Sequence, residues 1–217
     1  SYQIKVTRKF SVRLGMEATF WQKTLDWNKL TFGDMIDPRR GFVFQTGDIP
    51  RGGSRGGLDF SAGFLGFSEV FYFGFAAHHL TQPDESLIKE HSPLPMKLTA
   101  HAGAMIPLAG AASKYQEEDV MISPNILYRR QENFQQLNMG IYVKKGPLVG
   151  GVWYRNKDAF IALIGLQSDI VKIGYSYDVT ISKLANATAG SHEISFQINF
   201  NCRPKVKTFR TISCPSF

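Results

Sequence analysis

The sequence predicts an all-β fold, an antiparallel transmembrane β-barrel, from three observations. Residues Asp169 to Cys202 hold two alternating runs joined by a short polar link. In the first, Val171, Ile173, Tyr175, Tyr177, Val179 and Ile181 oppose Lys172, Gly174, Ser176, Asp178 and Thr180. In the second, Ile194, Phe196, Ile198 and Phe200 alternate with Glu193, Ser195, Gln197 and Asn199. Period two marks a strand, because successive side chains point to opposite faces of the pleat. Each run is also about ten residues long, beyond the ~5–6 of a soluble strand and near the ~9–11 of a tilted membrane-crossing one. Finally, 17 Phe, 8 Tyr and 3 Trp accompany 20 Gly, a composition that favours hairpins over helices. A single such hairpin would also suit a soluble sandwich, so the rest of the chain must decide.

The chain has 217 residues, 43% of them hydrophobic, and a mean hydropathy of −0.16. No apolar run is long enough for a transmembrane helix, and a barrel shows the same average because only alternate residues need be apolar. The formal charge of +7 suits nucleic acid or an anionic surface. With no helix-turn-helix, zinc-finger or single-strand-binding signature, no nucleic-acid partner is expected. Two cysteines, Cys202 and Cys214, match neither a zinc quartet nor a dense disulfide framework. The first residue is Ser with no signal peptide before it, which reads as a processed chain or a fragment.

Taken in order, Tyr2 to Phe10 and Ser11 to Leu25 are predicted strands, the second with Val12, Leu14, Met16, Ala18 and Phe20 opposite Arg13, Gly15, Glu17 and Thr19. Alternation stops from Asp26 to Gly56, a stretch rich in Gly, Asp and Arg; a loop this long is usually functional or partly disordered. Strands resume at Gly57–Phe67 and Ser68–Thr81, followed by a proline-marked loop from Gln82 to Pro95. Met96–Leu108 is read as one strand, with Leu98, Ala100, Ala102, Ala104 and Ile106 on its apolar face. Val120–Arg130, Phe134–Lys145, Leu148–Asn156 and Asp158–Gln167 precede the final hairpin, for eleven strands and no helix beyond a turn or two.

Placing the last strand's end in the periplasm and counting backwards puts 182–191, 156–158, 130–133, 82–95 and 26–56 outside. The links 167–169, 145–147, 109–119, 67–68 and 10–11 are then periplasmic, and four of these five are tight, as barrels prefer. The same parity leaves Ser1 outside, so an odd number of N-terminal strands is expected to be absent from this sequence.

The wordings GLDFSAGFLGF, FGFAAHHLTQPDES, PMKLTAHAGAMIPL, ISPNILYRR, FQQLNMGIYVKKGPLVGGVWYR, KIGYSYDVTISKL and FRTISCPSF, with LDWNKLTFGDMIDPRRGF in the long loop, resemble one family along essentially the whole chain. It is the PorP/SprF family of outer-membrane proteins of type IX secretion and gliding motility. The resemblance implies a barrel of about fourteen strands in the full protein, about eleven of them in this sequence, with roughly three missing. It also implies an outer-membrane location facing lipid or lipopolysaccharide, and a part in delivering or anchoring exported surface proteins such as adhesins. A link to the periplasmic ring lipoproteins of that machine is implied as well. The chain then divides into barrel strands with external loops over 1–202 and a basic periplasmic tail over 203–217. A passive diffusion channel is the alternative, for which Lys97, Thr99, Ser176, Asp178, Gln197 and Asn199 would line the lumen. A soluble sandwich is disfavoured, because long strands with exposed Phe-rich faces aggregate in water.

No residue set supports catalysis, and no cofactor or metal is expected. His78 and His79 are adjacent in a predicted strand and would point to opposite faces, so they cannot chelate together. One is expected in the lumen and the other near the interfacial girdle. In the long loop, Asp34, Asp37, Asp48, Arg39 and Arg40 fit no hydrolase pattern. Two readings stay open there: an ordinary loop pinned by ion pairs and turns, or a plug over the lumen anchored by Phe32, Phe42, Val43 and Phe44. DIPRGGSRGG lacks the ending of a phosphate loop and precedes a strand. Asn186 to Thr188 is a glycosylation sequon in form only. The tail carries Arg203, Lys205, Lys207 and Arg210 with no acid after Glu193; it is either a solvated end or a dock for a periplasmic partner. Cys202 and Cys214 are expected to form a disulfide in the oxidising periplasm, with two free thiols as the alternative.

Overall fold

A computed structural model describes residues 1–47, 52–88, 91–108, 120–182 and 190–200. The strands are β1 (Tyr2–Lys5), β2 (Phe10–Thr24), β3 (Ile36–Asp37), β4 (Gly41–Phe42), β5 (Ser54–Ser68), β6 (Phe71–His78) and β7 (Lys97–Ala104). They continue as β8 (Ile106–Pro107), β9 (Val120–Gln131), β10 (Phe134–Lys145), β11 (Leu148–Arg155), β12 (Ala159–Gln167), β13 (Val171–Thr180) and β14 (Ser191–Ile198). The helical content of the described residues is two 3-10 turns, Trp27–Lys29 and Gly33–Met35.

One sheet runs β1-β2-β5-β6-β7-β9-β10-β11-β12-β13-β14, with β8 paired to β9, while β3 and β4 form a small hairpin of their own. From β9 onward every neighbour is the next strand in the chain and every pair is antiparallel. Among the described residues the sheet is open, with β1 and β14 at its edges.

The chain forms two compact units, one of residues 1–15, 63–76 and 98–217, the other of 16–62 and 77–97. In the first, register puts like with like. Ile164 opposes Tyr175 and Leu166 opposes Ile173 on one face, while Gly165 opposes Gly174 and Gln167 opposes Lys172 on the other. The last hairpin continues both rows, pairing Tyr175 with Ile194 and Lys172 with Gln197.

Burial is inverted relative to a water-soluble protein. Among the described residues the buried hydrophobic side chains are Phe67 and Ala159, whereas Ser11, Asp59, Ser68, Ser86, Ser123 and Asn125 are buried polar groups. Ile141, Val152, Phe160, Ile164, Ile173 and Tyr175 face outward. Large apolar side chains outside and polar ones inside are stable where the outside is hydrocarbon.

Two packing devices stiffen the first unit. On the apolar face Phe10 stacks on Phe71 and Phe73 at 6.1 and 6.2 Å, and Phe64 meets Phe73 edge-on. On the polar face Gly140 opposes Trp153 and Gly151 opposes Tyr142. A Cβ at either glycine would collide with the facing ring, so the rings lie flat across bare backbone and meet each other edge-on at 5.7 Å.

Several boundaries differ from the sequence expectation. The first strand stops at Lys5, because the Val6 and Thr7 N–H groups both donate to the Phe10 carbonyl in a tight turn. The turn expected at 67–68 falls at 69–70, where the Ser68 hydroxyl accepts from the Val70 and Phe71 N–H groups at 3.2 and 3.0 Å. The strand expected over Met96–Leu108 breaks at Met105, whose N–H donates to the Val70 carbonyl.

Candidate functional site

Two regions carry polar chemistry: the polar face of the first unit, and the loop-bearing second unit. In the first, the Tyr72 hydroxyl donates to Asn125 Oδ1 at 2.5 Å, and Asn125 Nδ2 donates to the Ser123 carbonyl at 2.9 Å. Arg155 Nη1 lies 3.1 Å from Asp178 and 3.2 Å from Asp158, closing the turn between β11 and β12. Arg13 donates to Gln3 and lies over the Phe67 ring, 5.6 Å from its centroid. Of the residues expected to line a channel, Ser176 faces Glu193 across the last hairpin and Asp178 is held by Arg155. Gln197 donates to Asn199 at 2.7 Å. Outward of this hairpin's loop end, the Tyr175 hydroxyl lies 2.7 Å from His192 Nδ1 and Tyr177 stacks on the same imidazole, the aromatic grouping expected at a membrane interface.

In the second unit the long loop is folded. The Leu25 N–H donates to the Gly53 carbonyl across its base. Trp27 stacks on Phe32 at 5.9 Å, and Lys29 pairs with Asp26. Asp37 Oδ1 accepts the Arg39 and Arg40 N–H groups at 2.7 and 2.9 Å, shaping the β3–β4 hairpin. Asp34 Oδ2 accepts from the Gly47 N–H at 2.8 Å and the Thr46 hydroxyl at 3.0 Å. The Gly47 bond above all holds the Asp34 carboxyl below the usual aspartate range, because donors favour the ionised form. Phe42, Val43 and Phe44 are 61%, 51% and 57% exposed.

The second loop of this unit, after β6, is tied more tightly than the sequence suggested. His79 is not part of the strand: β6 ends at His78, and His79 takes φ +58°, turning its Nδ1 to within 2.6 Å of Asp59. The Thr81 hydroxyl donates to the same carboxylate, Arg55 reaches Asp84 and the Ser86 carbonyl, and Lys23 pairs with Glu85. Arg55, Asp59, Thr81 and Asp84 were not singled out from the sequence. The available signal was one acid, Asp59, on the polar side of a strand whose other face is Leu58, Phe60, Ala62 and Phe64.

Among the described residues no group of three or more His, Cys, Asp or Glu is placed to hold a metal ion. Asp48, the Asn186–Thr188 sequon, Cys202, Cys214, Arg203, Lys205, Lys207 and Arg210 lie outside the described residues.

An antiparallel sheet of long strands, with large apolar side chains exposed on one face and polar ones buried on the other, defines an outer-membrane barrel protein. Residues 1–198 match the family described as type IX secretion system membrane protein PorP/SprF, and the chain belongs to that family. No curated protein and no solved structure shows a match.

Proposed function

We propose that this protein serves type IX secretion by binding rather than by catalysis. Its loop-bearing end engages exported surface proteins such as adhesins, and its basic C-terminal segment, with Arg203, Lys205, Lys207 and Arg210, docks the periplasmic ring lipoproteins. The observation that carries the reading is the second unit itself. Both long connections fold with the strand ends into one compact body, built on Asp34, Asp37, Asp59 and Asp84 as hydrogen-bond centres. A surface organised to this degree costs less to order on binding than a loose loop. The tail's charge adds steering toward an acidic partner.

Affinity capture from native membranes tests the proposal. The wild-type chain should retain ring lipoproteins and an exported surface protein. Charge reversal of Arg203, Lys205, Lys207 and Arg210 should lose the ring alone, and replacing 33–47 by a short Gly-Ser link should lose the exported protein alone. Retention of both by both variants would remove the proposal. A second reading, passive diffusion of small solutes, draws on the polar positions Lys97, Thr99, Ser176, Asp178, Gln197 and Asn199, and conductance in planar bilayers separates the two.

A further inference from the structure

The connection after β6 lies against the polar side of β2 and β5 in the second unit. Three strand residues hold it. Asp59 is 7% exposed, and a carboxylate so enclosed is strongly unfavourable unless partnered. Its partners are His79 Nδ1 at 2.6 Å, the Thr81 hydroxyl at 3.0 Å and the Phe60 N–H at 2.9 Å, and two of these belong to the connection. Arg55 Nη1 reaches the Ser86 carbonyl at 2.7 Å and Asp84 Oδ2 at 3.4 Å, and Lys23 pairs with Glu85. In β5, Arg55 and Asp59 alternate with the outward Leu58 and Phe60, so the tether is on the polar side and not on the side facing lipid.

The connection is also internally built. Asp84 Oδ1 accepts the Ser86 and Ser92 N–H groups at 3.2 and 3.0 Å, and the Ser86 hydroxyl donates to the Ile88 carbonyl. His79 and Gln82 hold φ +58° and +43°, a left-handed backbone that non-glycine residues adopt at a cost. Such conformations persist where the surroundings over-determine them.

We infer that residues 79–88 form a strap across the polar face that restricts passage of small solutes along it, with Asp59 and Arg55 as its anchors. In the longer connection before β5, Phe42, Val43 and Phe44 are exposed and take no part in the tether. The strap gives the protein a closed resting state independent of which exported protein or ring component it binds.

The test uses the full chain, purified and folded into liposomes, with solute flux and planar-bilayer conductance as readouts. Asp59→Cys with Thr81→Cys, in a Cys202→Ser and Cys214→Ser background, places two thiols where side-chain atoms now meet at 3.0 Å. Oxidised, this protein should be as impermeable as wild type. Reduced in the same vesicles, it should pass solute several-fold faster. Asp59→Asn with Arg55→Ala should be permanently in the faster state, with folding checked by heat-modifiable migration. Equal flux before and after reduction overturns the strap, and the comparison within one folded sample holds even if the second variant fails to fold.

Discussion

Replacing Gly140 by Ala should destabilise the barrel, and the structure supplies its own control. Gly140 lies directly opposite Trp153, and its added methyl would meet the indole carbons Cδ2, Cε2 and Cγ. Gly15, also within a strand, has nothing within 4 Å of the same methyl. The two substitutions share the backbone-entropy gain, roughly 0.5–1 kcal/mol in favour of Ala in a strand. Their difference therefore isolates the collision. Trp153 must leave its place across the bare backbone, and overpacking of this kind costs about 1–3 kcal/mol. Gly15→Ala should thus be neutral or slightly stabilising, and Gly140→Ala less stable than it by about 1–3 kcal/mol. Urea titration in phospholipid vesicles measures the difference. Trp153 emission, read in a Trp21→Phe and Trp27→Phe background, should shift only in the Gly140 variant. A difference under about 0.5 kcal/mol, within the range of ordinary surface changes, with unshifted emission would refute the ring-on-glycine account.

Arg at Phe196, on the lipid-facing row away from the interfacial Tyr175 and His192, should cost about 2–4 kcal/mol, whereas Arg at its polar-side neighbour Gln197 should be mild; equal costs in folding titrations would invert the assignment of faces. Acid should loosen the long loop. The Asp34 carboxyl is depressed by its donors, so its contribution is present above the unfolded aspartate value of roughly pH 4 and is lost as pH falls through the lower folded value. Limited proteolysis within 33–47 should therefore accelerate at low pH in wild type, and Asp34→Asn should be fast at neutral pH already. Peptide mapping without reductant should recover Cys202 joined to Cys214; two free thiols in protein isolated from the outer membrane would exclude the bridge.

The faces of this protein are a local property, and the chain states them locally. Tyr175 and Ser176 are assigned to opposite sides by their neighbours at two-residue spacing, which is why β10 runs Phe134–Lys145 as the alternation alone implies. The turns after β9, β10, β11 and β12 were legible within a residue or two, whereas the first fell at 6–9 and not at 10–11. Ser68 moved another because its hydroxyl competes for backbone donors, an effect that alternation does not encode. In the long loop, Phe32, Phe42, Val43 and Phe44 were legible as an apolar set but their surroundings were not: Phe32 stacks on Trp27, and Asp37 shapes the β3–β4 hairpin that carries Phe42.

By itself, then, the sequence determined the all-β class, the lipid-facing and polar rows, and the family through its long ordered wordings. Tertiary structure alone decided which residues meet across those rows. Trp153 covers Gly140 only because the register of β10 and β11 places them opposite each other, and a one-residue slip of β11 would send Trp153 to the other face. Asp59 finds His79 and Thr81, and Arg55 finds Asp84, only because the chain turns back after β6 at two residues with left-handed backbone. Alternation reports the direction a side chain points, while its partner depends on how far the chain has travelled before returning, and no short-range pattern carries that distance.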